Sequence, residues 1–198
     1  EPKLPDLSNP VDWLSFLQHY GGSTRLLDFT DSFYVAAFFA METSIVDSAL
    51  WAVNINKLTK SPKFSGSGLE SLPYETVVEQ HKEKANRYIN AKEGGEDLVL
   101  VIDPFLQHDR LWIQQGSFLF PCNRESSFEK NLCATFGLSF ESLVSENVRR
   151  IDMAELEQFD FSDVSILKII MPKTIHPKAL YDLRDMNVTP ATLFPGLD

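Results

Sequence analysis

The chain has 198 residues, 43% of them hydrophobic and 23% charged, which predicts one globular domain with a full core. Its 18 Lys and Arg against 28 Asp and Glu give a formal charge of -10. That balance argues against sequence-independent binding to nucleic acid or anionic membrane, which needs clustered basic charge, and leaves room for a small local phosphate pocket. No run approaches the roughly 18 apolar residues of a membrane helix, and no secretory signal is visible. The two cysteines, Cys122 and Cys133, are too few for a disulfide scaffold or a zinc quartet, so the expected setting is the reducing cytoplasm.

Residues 1–9 read as an extended, proline-rich arm. Asn9-Pro10 marks a helix start, with Asn9 as cap and Pro10 at the first helical position. The helix carries Val11, Leu14, Phe16, Leu17 and Tyr20 and stops at Gly21-Gly22. A short extended piece from Thr24 to Phe29 follows. The next helix runs from about Ser32 to Thr43 and is apolar nearly all round, which predicts burial on most sides. Ala49–Ile55 reads as a strand, and 59–73, rich in Ser, Gly, Lys and Pro, as a long surface loop. Tyr74–Ala91 has a helical rhythm with Val77, Val78, Ala85, Tyr88 and Ile89 on its apolar side.

Leu98–Ile102 is a five-residue apolar run and predicts a buried strand. Arg110–Phe120 reads as an irregular approach leading into a strand that Pro121 ends. Ser127–Ala134 is a short helix, and 139–163 is acidic with weak helical patches. Ile166–Met171 predicts another buried strand. Thr174 is then expected to cap a helix from Ile175 to about Met186, and Thr189-Pro190 to start a last helical turn. Helices and short strands mix without regular strand–helix–strand alternation. The expected class is α+β, a single domain with a mixed or mainly antiparallel sheet packed by helices. With 15 Phe residues, the core is expected to be aromatic.

The stretch from Leu17 to Ala40 concentrates the chemistry. His19, Tyr20, Arg25, Asp28 and Thr30 lie between two apolar segments, and Leu26, Leu27 and Phe29 draw the strand inward. Polar groups carried toward an interior must be paired or used. Each has a plain reading: His19 complements a helix C-terminus, Arg25 ties loops together, and Asp28 caps the next helix. Together, beside a helix N-terminus, they form a candidate anion site. Gln114 and Gln115, before Gly116 and an apolar strand, either satisfy a backbone edge or orient a ribose or amide ligand. No G-x-G-x-x-G, P-loop, H-E-x-x-H or G-x-S-x-G pattern occurs. The four histidines lack metal-ligand spacing, and the two cysteines read as core thiols.

Three blocks resemble the FRG domain family, named for a Phe-Arg-Gly motif. They are Gln18–Gly21 with Thr24–Thr30 and Val35–Ala40, then Gln114–Phe118, then Ile169–Lys173 with Leu193–Asp198. The motif itself belongs upstream of the helix at residue 10 and does not occur in this chain. The expected domain is therefore residues 1–198, an FRG-type domain without that N-terminal segment. The order of its parts also resembles that of ADP-ribosyltransferases: an absent arginine-bearing strand, a Thr/Ser strand entering an Ala/Phe-rich helix, then a strand with Gln or Glu.

That resemblance implies a site that uses NAD as substrate. Thr30 would brace the ribose, and Gln115 or Gln114 would take the glutamate position. Asp28 would supply the charge that a neutral amide cannot. The site expected from the resemblance thus has Asp28 and Gln115 in catalytic roles and His19, Tyr20, Arg25, Thr30 and Gln114 in ligand binding, with no metal. Two readings stand: an enzyme acting on a nicotinamide dinucleotide or ADP-ribose-type ligand, or a non-catalytic nucleotide- or protein-binding regulatory module.

Overall fold

Apolar strands too short to cover both of their own faces force the chain into layers. The computed structural model describes residues 4–61, 63–64, 72–90, 95–105, 109–144, 158 and 160–195. Helix α1 (Pro10–His19) leads into strand β1 (Leu27–Thr30), helix α2 (Phe33–Met41) and strand β2 (Ser48–Val53). Helices α3 (Ile55–Thr59) and α4 (Tyr74–Asn90), strand β3 (Val99–Ile102), helix α5 (Asp109–Gln114) and strand β4 (Gly116–Pro121) follow. Helices α6 (Phe128–Phe136) and α7 (Phe140–Val144), strand β5 (Ile166–Met171), and helices α8 (His176–Asp185) and α9 (Pro190–Leu193) complete the order. The strands form two antiparallel sheets, one ordered β1-β4-β3 and one pairing β2 with β5. The α+β class is as the sequence predicts.

Strand β3 is buried along its whole length, and cross-strand partners on β4 divide its side chains between two cores. Leu100, Ile102, Phe118 and Phe120 pack with Val11 of α1 and Ala85 of α4. Val99, Val101 and Leu119 pack with Leu58 of α3 and Leu132 of α6 on the opposite face. The smaller sheet has its own core, in which Val35, Phe38 and Met41 of α2 meet Leu50, Met171 and Leu183. Asp12 of α1, 2% exposed, is held by Lys82 of α4 at 2.9 Å.

Several elements depart from expectation. Strand β1 begins at Leu27 rather than Thr24, because Arg25 leaves the ladder to reach across it. Helix α2 buries only one side; Phe33, Tyr34 and Phe39 are exposed, since one two-stranded sheet covers only one stripe. Strand β5 is half-exposed for the same reason, its Lys168 and Ile170 turned from the core. The stretch before β4 is helical, and the end of the predicted 49–55 strand is the first turn of α3. There Asn54 accepts from the Lys57 N–H at 3.0 Å. Thr174 caps nothing: it lies in a 3-10 turn, Lys173–Ile175, that precedes α8. Thr189 does cap α9, through a reciprocal pair of bonds with Thr192. Most of the predicted 59–73 loop, and 145–157 of the acidic stretch, lie outside the described residues.

The outer edge of β3 is closed by side chains. The Val99 N–H donates to Thr135 Oγ1 at 2.8 Å, and the Val101 N–H to His81 Nδ1 at 3.0 Å. The Leu98 N–H donates to Oδ1 of the fully buried Asn131 at 3.1 Å. Accepting at Nδ1 puts the His81 proton on Nε2 and keeps the ring neutral. Burial, then Lys84, push its pKa down to about 4.

Because this folded-state pKa lies below that of the unfolded chain, the unfolded chain takes up a proton first as pH falls from about 6.5. Stability is therefore lost between about pH 6.5 and pH 4, by up to about 3 kcal/mol from this residue. In His81→Gln the amide oxygen can still accept from Val101 but cannot titrate. Urea unfolding at pH 7 and pH 4.5 should show a smaller acid loss for the variant than for wild type. Equal losses would contradict the assignment.

Candidate binding cleft at the edge of strand β1

A cavity of about 650 Å³ opens beside β1, within the range of small-ligand and peptide sites. Leu27, Asp28, Phe29 and Thr30 of β1 line it, as do Ala49, Leu50 and Trp51 of β2. Ala36, Phe39 and Ala40 of α2, Phe128, Glu129 and Leu132 of α6, Gln18 and His19 of α1, and Gln114 complete most of the wall. Successive strand residues point to opposite faces. The cavity touches four residues in a row on β1 and three in a row on each of β2 and β4, so it is not confined to one face of a sheet.

Hydrogen-bond phase relates the cavity to the strand edges. The Asp31 N–H donates to Gln115 O at 3.1 Å, in line with the register that sets Phe29 opposite Ser117 and Leu27 opposite Leu119. Bonded and non-bonded pairs alternate along an antiparallel ladder. The backbone groups of Leu27 and Phe29 thus face β4, and those of Asp28 and Thr30 face outward. On β2, the Asn54 N–H donates to Ser165 O at 2.9 Å, so by the same alternation Ala49 and Trp51 turn their backbone groups away from β5. The outward groups of both strands border one cavity.

The sequence-predicted residues divide. His19, Asp28, Thr30 and Gln114 line the cleft together. The Thr30 hydroxyl donates to Gln114 O at 2.6 Å and accepts from the Ser32 N–H at 3.0 Å, so it clamps the strand to α5. The Gln114 amide donates to Leu193 O at 2.9 Å. Asp28 is exposed on the strand, and Ser32 rather than Asp28 caps α2.

Three predicted residues lie off this wall. Arg25 donates from Nη2 to Pro121 O and, at 2.9 Å, to Cys122 O, and its guanidinium stacks 4.3 Å over the Phe120 ring. It staples the start of β1 to the end of β4. Tyr20 is 62% exposed and rests against Phe16 and His19. Gln115 has a φ of 49°, a left-handed conformation that turns it toward a separate cavity with Tyr74, Asp103 and Trp112.

Glu129 and Trp51 line the cleft without having been singled out from the sequence. Glu129 sits in the first turn of α6, far along the chain from both Trp51 and β1, and no local pattern links them. Among the described lining residues the ionisable groups are His19, Asp28 and Glu129; none is Lys or Arg. The thiols are no nucleophiles: burial pushes Cys122 up to about 12 and also raises Cys133. Among the described residues no cluster of His, Cys, Asp and Glu could hold a metal, and no helix is long and apolar enough to cross a membrane.

Residues 3–48 match the family model of the FRG domain. The FRG match spans α1, β1 and α2 and so contains one side of the cleft; the second and third sequence blocks lie beyond it. No curated protein and no solved structure gives a significant match to this chain.

Arg25 and Asp28, three residues apart, should behave oppositely in urea unfolding. Arg25→Met keeps the stem over Phe120 but strands two carbonyls, and is expected to destabilise by about 1–3 kcal/mol. Asp28→Asn, on an exposed edge, should stay within about 0.5 kcal/mol of wild type. The reverse order would contradict these roles.

Proposed function

We propose that this FRG domain is a binding module whose β1 cleft takes a positively charged or uncharged segment of a protein partner. The observation that carries this reading is the wall chemistry. Asp28 and Glu129 supply negative charge among apolar and aromatic surfaces, and no described lining residue is Lys or Arg. Arg25, the nearest candidate to hold a phosphate, is already bonded to two carbonyls and stacked on Phe120. A diphosphate in this cleft would face carboxylates without compensation, which is unfavourable. The two buried free thiols fit a cytoplasmic setting.

A second reading keeps the nicotinamide dinucleotide or ADP-ribose-type ligand and the ADP-ribosyltransferase-like chemistry. It is favoured by one observation, that Asp28 and Glu129 line the same cavity as the Trp51 and Phe39 rings. Such carboxylates would face the positive charge that develops on a ribose as nicotinamide leaves.

A labelled basic peptide and NAD distinguish the two. The peptide is expected to bind, and Asp28→Asn to weaken it at least fivefold, while Asp160→Asn, on a solvated turn, leaves it unchanged. Equal effects of the two substitutions would remove the case for the cleft. Release of nicotinamide from NAD by wild type, lost in Asp28→Asn, would overturn the non-catalytic reading.

A further inference from the structure

We propose that the cleft accepts its partner as an added β-strand, seated between β1 and β2 and carrying a basic side chain against Asp28 or Glu129. This deepens the binding-module reading and rests on it. Three observations carry it. First, the outward backbone groups of Asp28 and Thr30 on one side and of Ala49 and Trp51 on the other border the same cavity, by the ladder phases already given. Exposed edge donors and acceptors are a template for a further strand.

Second, the other edge of the larger sheet, on β3, is closed by side chains. Thr135 and His81 take the N–H groups of β3. Just before β1, Leu26 is held on both sides: Gln18 Nε2 donates to its carbonyl at 3.2 Å, and its N–H donates to Thr24 Oγ1 at 3.0 Å. Past that point, among the described residues, no hydrogen bond reaches the outward backbone groups of Asp28 or Thr30. Among the described residues, one edge of this sheet is thus sealed and the edge on the cavity is open.

Third, the walls suit an alternating strand. Side chains on one face would meet Phe29 and Phe128, which pack 6.0 Å apart between ring centroids. Those on the other face would meet Asp28 and His19. At about 3.3 Å per residue the β1 edge takes a segment of four or five residues. Such a strand would join the two sheets into one, ordered β3-β4-β1-partner-β2-β5. The charge of -10 on the chain and the two carboxylates on the wall select a basic segment over an acidic one.

The test uses a short synthetic peptide that alternates valine and arginine, a version with glutamate for arginine, and a version N-methylated at alternate amides. The arginine peptide is expected to bind wild type. It should slow amide exchange at Asp28, Thr30, Ala49 and Trp51 at least tenfold. The glutamate and N-methylated peptides should each bind at least tenfold more weakly, and Asp28→Asn, with its melting temperature checked, should weaken the arginine peptide.

Equal binding of the N-methylated peptide, or binding without slowed exchange at those amides, would overturn strand addition. The binding-module reading would survive if binding still depended on Asp28. No binding by the arginine peptide would overturn the proposal outright.

Discussion

A β-sheet of three strands has two edges, and the backbone groups on each must find partners or water. Here one edge is met from within. Helices α4 and α6 aim His81 and Thr135 at the N–H groups of β3, and Asn131 carries the seal past the strand's start. Those buried polar residues would be costly if unpaired. They are tolerated because the edge they cover is buried in the same place.

Among the described residues the opposite edge is met only before β1 begins, where Gln18 and Thr24 hold the backbone groups of Leu26. Arg25 might have served it, but it reaches the other way, onto the carbonyls at the end of β4. Its fixed charge sits over Phe120 rather than in the cleft. The consequence is chemical as well as structural. With Arg25 occupied, the charge at the cleft is that of Asp28 and Glu129, which is the basis of the proposed preference for cations. The same strand therefore gains its rigidity from Arg25 and its selectivity from Asp28, three residues later.

Much of this arrangement was legible in the sequence. A continuous apolar run identifies β3 as a strand, because few other structures bury four consecutive side chains. Pro10 and Thr189 mark helix starts, because each fixes or satisfies the first turn. The seven-residue constellation was legible only in part. Composition brought His19, Asp28, Thr30 and Gln114 together, and they do share a wall. It could not show that Arg25 finds carbonyls 96 and 97 residues away, or that a positive φ turns Gln115 to another cavity. Glu129 was invisible, because a first-turn glutamate normally needs only its helix dipole as explanation. The half-burial of β5 was missed because an apolar run does not reveal how many strands will share its sheet.

The account depends on the contrast between a closed β3 edge and an open β1 edge, and residue-resolved amide hydrogen exchange on the unliganded protein measures it directly. The account predicts slow exchange at Val99 and Val101 and exchange at least a hundredfold faster at Asp28 and Thr30. Comparable protection at all four amides would mean that β1 is already covered, and would contradict the open cleft.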